Sequence, residues 1–337
     1  MTDKLDKIFK TTIRDFVKSK NDQKFIFTAG PSSLLKENIT GLTPCFGRGD
    51  PDYLNIEKEV MENIKKISGH NNIVRLQGSA SLALEIIINN FLRGKILLIE
   101  TGYYSDRLKS MLNNYMRADN NIVSIDVLDW KEISSFSGSY DWVVACYTET
   151  SCGIKLPIEE LRLLSDRVSS KLFLDATASI GLEDNHEYAD IIGFSSCKGL
   201  FGLTGASFIA YHDIPDRNEV VSFYLNIDTH INKLVTGPYH TITSLHHILS
   251  NYSYFKESVL INKKRFYQRM ANYSDIPISL QPNLCTYVSC NIEPKDSRVI
   301  LYKPRNNLAG SIVCHLGEAH LGSKADGSIQ DQLRFIE

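Results

Sequence analysis

Between Ile73 and Tyr211 short apolar runs alternate with longer amphipathic stretches, and that alternation limits what this chain can fold into more than any other feature. Runs at 73–76, 95–100, 122–126, 142–147, 172–175, 191–195 and 206–211 read as strands. The stretches at 82–92, 104–114 and 157–169 read as helices between them. The strands are nearly continuous in apolar residues, so they have no polar face to offer water. Such strands belong in a mainly parallel sheet with helices on both faces. Ligands of these sheets sit at the carboxyl ends of the strands.

The flanks read differently. Leu5, Ile8, Ile13, Phe16 and Val17 fall at helical spacing on a charged background, which predicts an amphipathic helix over 4–20. A second helix is expected over 56–67. After residue 240 a helical stretch at 241–271 precedes strand candidates at 287–292 and 298–302. The expected division is an N-terminal helical segment 1–24, a large domain 25–240 and a small, shortened α+β domain 241–337.

Composition excludes several classes. With 43% hydrophobic residues and a formal net charge of −2, the chain is neither disordered nor a nucleic-acid binder working through a basic surface. No stretch approaches 18 uncharged apolar residues, and Met1–Lys24 lacks the apolar run of a signal peptide. Seven scattered cysteines without a C-x-x-C pair predict reduced thiols in a cytoplasmic protein. His315, Glu318 and His320 lack a fourth ligand, so no metal is expected.

Three segments carry chemistry. Lys198 directly follows a strand in Ser195-Ser196-Cys197-Lys198-Gly199, held among small residues. Asp175 ends the buried strand Leu172-Phe173-Leu174-Asp175. A carboxylate there must be paired, because a buried lone charge is costly. Gln77-Gly78-Ser79-Ala80-Ser81 opens an apolar helix. Its free N–H groups, positive dipole end and two hydroxyls suit a phosphate. The segment is neither a Walker loop nor G-x-G-x-x-G. A phosphate cradle, a strand-end acid and a strand-end lysine in this order suggest pyridoxal phosphate: the lysine as Schiff-base partner, the acid facing the pyridinium nitrogen.

The same segments resemble the class V, fold-type I aminotransferases, most nearly their 2-aminoethylphosphonate:pyruvate branch. Thr28-Ala29-Gly30-Pro31 resembles that family's T-P-G-P, and Leu76-Gln77-Gly78-Ser79-Ala80-Ser81 its L-Q-G-S-G-S/T. Thr101-Gly102-Tyr103-Tyr104-Ser105-Asp106-Arg107 resembles N-G-x-(aromatic)-G-x-R. Thr148-Glu149-Thr150-Ser151-Cys152-Gly153 resembles S-E-T-T-T-G, and Leu174-Asp175-Ala176-Thr177-Ala178-Ser179 resembles V-D-A-x-S-S. Residues 25–241 are covered in order.

The resemblance implies an α/β fold with a mainly parallel, seven-stranded-type sheet. It implies Lys198 as catalytic lysine, Ser79, Ala80 and Ser81 around the phosphate, Tyr104 stacking on the ring, Thr150 near the ring hydroxyl and Asp175 at the ring nitrogen. Thr236 would reach the partner subunit's phosphate in a homodimer. Its activity would move an amino group from a small amine such as 2-aminoethylphosphonate to a keto acid such as pyruvate. An alanine- or serine–glyoxylate-type transaminase, a decarboxylase, a lyase and a desulfurase stay open as alternatives.

One departure stands out. The family arginine that clamps a substrate carboxylate is replaced by Ile312 in Ser311-Ile312-Val313-Cys314. Either another cation supplies the bidentate anion clamp, with Arg48 and Arg305 the candidates, or the substrate lacks the usual carboxylate. The segment after Lys198 is also short for the family, with the shortfall between Asn283 and Gly317.

Overall fold

The computed structural model describes residues 12–32, 34–44, 47–118, 121–213, 216–305, 307–317 and 328–336. Its strands are, in chain order, β1 (Phe25–Phe27), β2 (Asn72–Gln77), β3 (Gly94–Glu100), β4 (Ile122–Asp129), β5 (Trp142–Cys146), β6 (Thr148–Glu149), β7 (Ile154–Lys155), β8 (Lys171–Asp175), β9 (Ile191–Ser195), β10 (Ala206–Tyr211), β11 (Cys285–Val288), β12 (Asn291–Pro294), β13 (Val299–Leu301), β14 (Ser311–Cys314) and β15 (Leu333–Ile336).

Seven of them form one sheet in the order β2–β10–β9–β8–β5–β3–β4. Its pairings are parallel except that β10 runs antiparallel to both its neighbours. Successive side chains point to opposite faces, so each strand feeds two cores. Val143 and Ala145 of β5 pack with the helices Pro51–Ser68, Ile158–Arg167 and Tyr239–Leu249. Trp142, Val144 and Cys146 pack with the helices Ala80–Phe91 and Tyr103–Ala118. Burial on both faces explains the uninterrupted apolar runs.

The C-terminal strands pair in twos: β11 with β14 and β12 with β15, both antiparallel, and β13 with β1 in parallel. Phe27 of β1 therefore shares a third core with Phe266, Val288, Val299 and Val313.

The structure departs from the sequence expectations at several ends. The stretch expected as one helix over 241–271 is two, Tyr239–Leu249 and Tyr252–Met270. The Asn251 N–H turns back to the Ile248 carbonyl at 2.9 Å and breaks the ladder between them. The strand expected over 287–292 is likewise split, because Ser289 leaves the ladder to donate its N–H to the Tyr273 carbonyl at 2.7 Å. The helix 56–67 starts earlier, at Pro51, where Asp50 accepts from the Asp52 N–H. Of the N-terminal amphipathic helix the described part is Ile13–Asn21, opened by a Thr12–Asp15 capping box. Leu5 and Ile8 lie outside the described residues. Among the described residues no helix is long and apolar enough to cross a membrane.

Candidate active site

The carboxyl ends of β5, β8 and β9 meet the start of the Ala80–Phe91 helix around a cavity of about 300 Å³. Ser79, Ala80, Ser81, Tyr104, Thr150, Asp175 and Lys198 all line it. Residues up to 119 positions apart in the chain are thus brought together by the sheet order.

Lys198 stands on a turn fixed from several directions. The Ser196 N–H donates to the Ala206 carbonyl at 3.0 Å, the Phe201 N–H to the Lys198 carbonyl at 2.8 Å, and the Ser32 N–H to the Cys197 carbonyl at 2.8 Å. The Lys198 stem passes against Gly30, where φ is +120° and an added Cβ would come within 2.9 Å of Cγ. Glycine is required there on both counts, conformation and space. The Lys198 Nζ lies 5.7 Å from the Tyr104 ring centroid.

Asp175 ends β8 and is 2% exposed. Its Oδ1 accepts from the Thr177 N–H at 2.9 Å and from the Thr177 hydroxyl. Its Oδ2 faces the Arg107 guanidinium, with Nη2 at 3.4 Å.

At the third corner, Ser79 precedes the Ala80–Phe91 helix in an extended conformation, and no side chain caps that helix. The first-turn N–H groups therefore have no side-chain acceptor beside the cavity. The Gly78 N–H is held by the Gly205 carbonyl at 3.0 Å.

Tyr104 is placed by a buried acid. Glu149 accepts from the N–H groups of Tyr104 at 2.9 Å, Ser105 at 3.2 Å and Ser151 at 3.1 Å, so it closes the start of the Tyr103–Ala118 helix. Burial raises the Glu149 pKa, and these donors act against that rise. The Cys146 thiol at the cavity wall is pushed well up by burial, then by Asp175 and Glu149.

Two buried polar atoms that line the cavity have no partner, the Thr148 hydroxyl and the Nε of Arg107. Buried polar groups are otherwise paired, so such orphans at one cavity mark a space shaped for a polar ligand. The orphan hydroxyl, the uncapped helix start, the strand-end acid and the lysine fit pyridoxal phosphate: an anion at one end, a ring nitrogen at the other, an aldehyde between.

The remaining sequence candidates fall elsewhere. Thr236 lines a neighbouring groove that shares Gly78, Thr204 and Gly205 with the cavity. Arg48 donates to the Lys233 carbonyl at 3.3 Å and does not line the cavity. Arg305 donates to the Tyr103 hydroxyl at 3.2 Å and lies over that ring, 5.4 Å from its centroid. Tyr103 in turn meets Tyr104 edge-on at 5.3 Å. Ile312 is 2% exposed on β14, opposite Tyr287, and packs in the main core. Glu318 and His320 lie outside the described residues; His315 is buried and bonded to Thr286 at 3.0 Å. Sequence reasoning did not single out Arg107, Thr177 or Tyr302 as site residues. Arg107 carried a signal, since it is three residues from Tyr104 and so shares a helix face with it.

No family model matches the chain. Its relatives include the 2-aminoethylphosphonate–pyruvate transaminase of Pseudomonas aeruginosa strain PAO1, 25% identical over 250 residues that cover 67% of each protein. The enzyme of the same name from Pseudomonas entomophila is 23% identical over 81% of this chain and 82% of its own length. Among solved structures, the alanine–glyoxylate aminotransferase of Nostoc sp. superposes with a TM-score of 0.75 at 16% identity, covering 91% of this chain and 93% of that one. The chain is similar in sequence to these transaminases and shares the fold of the solved aminotransferases. The pyridoxamine–pyruvate aminotransferase of Mesorhizobium loti shares the fold as well, with a TM-score of 0.71 at 18% identity over 91% of this chain and 92% of that one. The cavity sits where this fold places ligands, at the carboxyl edge of the parallel strands.

Proposed function

We propose that the cavity binds pyridoxal phosphate and that this aminotransferase moves an amino group from a 2-aminoethylphosphonate-like amine to a keto acid such as pyruvate. The observation that carries the reading is that Lys198, Asp175 and the uncapped start of the Ala80–Phe91 helix face one cavity of about 300 Å³. The names of the relatives support the substrate pair.

When bound, the cofactor supplies an electron sink through its protonated ring. The chain's own groups do the rest. Ser79, Ser81 and the Ala80 N–H hold the phosphate. Tyr104 would face the ring, the Thr150 hydroxyl would meet the ring oxygen, and the Asp175 carboxylate would hold the ring nitrogen. Lys198 Nζ would be the attachment point, and as a free amine it would serve as the proton carrier. Thr236 extends to the phosphate of a second subunit, which makes the site shared and the protein a homodimer.

The Ile312 position fits this donor. 2-Aminoethylphosphonate carries no carboxylate beside its amine, so that half-reaction needs no α-carboxylate clamp. Arg305, at the Tyr103–Tyr104 edge, holds the anionic end of the substrates. A desulfurase reading is disfavoured because it requires an accessible nucleophilic thiol. Cys314 is fully buried, and burial raises its thiol pKa.

The test is to incubate the purified protein with pyridoxal phosphate, 2-aminoethylphosphonate and pyruvate and to follow alanine. Alanine formation is expected. Cofactor uptake without alanine, but with carbon dioxide or ammonia released from other amines, would refute the transaminase reading of the site.

A further inference from the structure

The guanidinium of Arg107 lies between two groups that the cofactor ring needs. Its Nη2 is 3.4 Å from Asp175 Oδ2, and its Cζ is 5.1 Å from the Tyr104 ring centroid. Thr177 occupies the other carboxylate oxygen, so Oδ2 is the one left for the ring nitrogen. The Arg107 Nε is buried without a partner, and the residue lines the cavity. An arginine fork is planar and always charged, so it can stack on an aromatic face and pair with a carboxylate at once.

We propose that Arg107 is a positioning residue for the cofactor, one guanidinium that clamps Tyr104 and Asp175 into a fixed mutual arrangement. This rests on the cofactor reading above. The two groups come from different elements, the Tyr103–Ala118 helix and β8, and Arg107 is the charged link between them. Without it, each would hold the ring separately, and the ring would sample a wider range of angles.

The experiment titrates pyridoxal phosphate into cofactor-free wild type, Arg107→Gln and Arg107→Lys, and reads the dissociation constant and the visible circular dichroism per bound cofactor. Loss of a charge-assisted contact and a stacked cation predicts an affinity about tenfold weaker in Arg107→Gln. The dichroism should fall in both variants, with Arg107→Lys recovering part of the affinity because it keeps the charge but not the plane. A merely structural arginine would lower the melting temperature and leave both readouts unchanged; affinity within twofold and equal dichroism overturn the proposal. If Arg107→Gln fails to fold, the dichroism of Arg107→Lys decides alone. Failure of the wild type itself to take up cofactor would instead refute the site reading, and this inference with it.

Discussion

The carboxyl edge of the seven-stranded sheet and the β11–β14 pair differ in what they bury. At the carboxyl edge of the sheet, the buried Thr148 hydroxyl is left without a partner, an arginine lies against a strand-end acid, and a helix start is uncapped. In β11 and β14, Cys285 faces Cys314 and Tyr287 faces Ile312, which is buried in the main core. The first region spends packing quality on keeping a ligand's contacts open. The second fills position 312 with a core side chain. On the proposed function, the cofactor side of the site is intact and the substrate's anionic end is met by residues other than position 312.

The largest effect expected from breaking the first region is Lys198→Ala. Turnover should fall by about two to four orders of magnitude, the range of a lost general acid–base group. It is measured as alanine formed per minute at saturating amine. A variant that keeps one-tenth of the activity would remove Lys198 from the centre of the account.

The second region is probed by Ile312→Arg, which places a cation at a position 2% exposed in the main core. An uncompensated buried charge costs about 3–5 kcal/mol. The expected result is a destabilised protein by urea unfolding. A stable variant with improved pyruvate affinity would show that the position still opens on the cavity.

Arg305 sharpens the same contrast. If it supplies the cation that Ile312 does not, Arg305→Ala should raise the KM for the phosphonate about tenfold, about 1.4 kcal/mol, with kcat within twofold. Arg48→Ala, whose side chain is tied to Lys233, should leave both constants in place.

A pH-dependent effect on stability, rather than activity, concerns two buried histidines, one in each region. His186, bonded to Ser179, and His315, bonded to Thr286, are both lowered to about 3 by burial, and the Nδ1 of each has no partner. Below the ordinary histidine pKa near 6.5 the unfolded chain takes up protons that these folded residues refuse. Their stabilising contribution is therefore complete above pH 6.5 and is lost as pH falls towards 3, at up to about 1.4 kcal/mol per pH unit for each. Unfolding measured at pH 7, 6 and 5 should show this slope, and His315→Gln should reduce it by one proton. An unchanged slope would mean that His315 titrates normally.

The seven sheet strands were legible because burial on both faces writes a run of apolar residues into each. Lys198, Asp175 and Ser79–Ser81 were legible because a strand end is a fixed point in such a fold. Contacts between distant segments were not. The Arg107–Asp175 pair joins a helix to a strand across 68 residues. The parallel pairing of β1 with β13, which packs Phe27 beside Val299, leaves no periodic trace in either segment. Tyr302 follows β13 and reads as an ordinary strand aromatic, yet its hydroxyl lies against Thr150 and Tyr104, with burial and then Tyr104 raising its pKa. The break between the two C-terminal helices depends on one backbone bond at Asn251 and has no sequence marker.

The most direct test of the central claim is to load the protein with pyridoxal phosphate, reduce it with borohydride and map the modified peptide by mass spectrometry. The account predicts one covalent adduct, on the peptide carrying Lys198. An adduct on another lysine, or none in a folded protein, would contradict it.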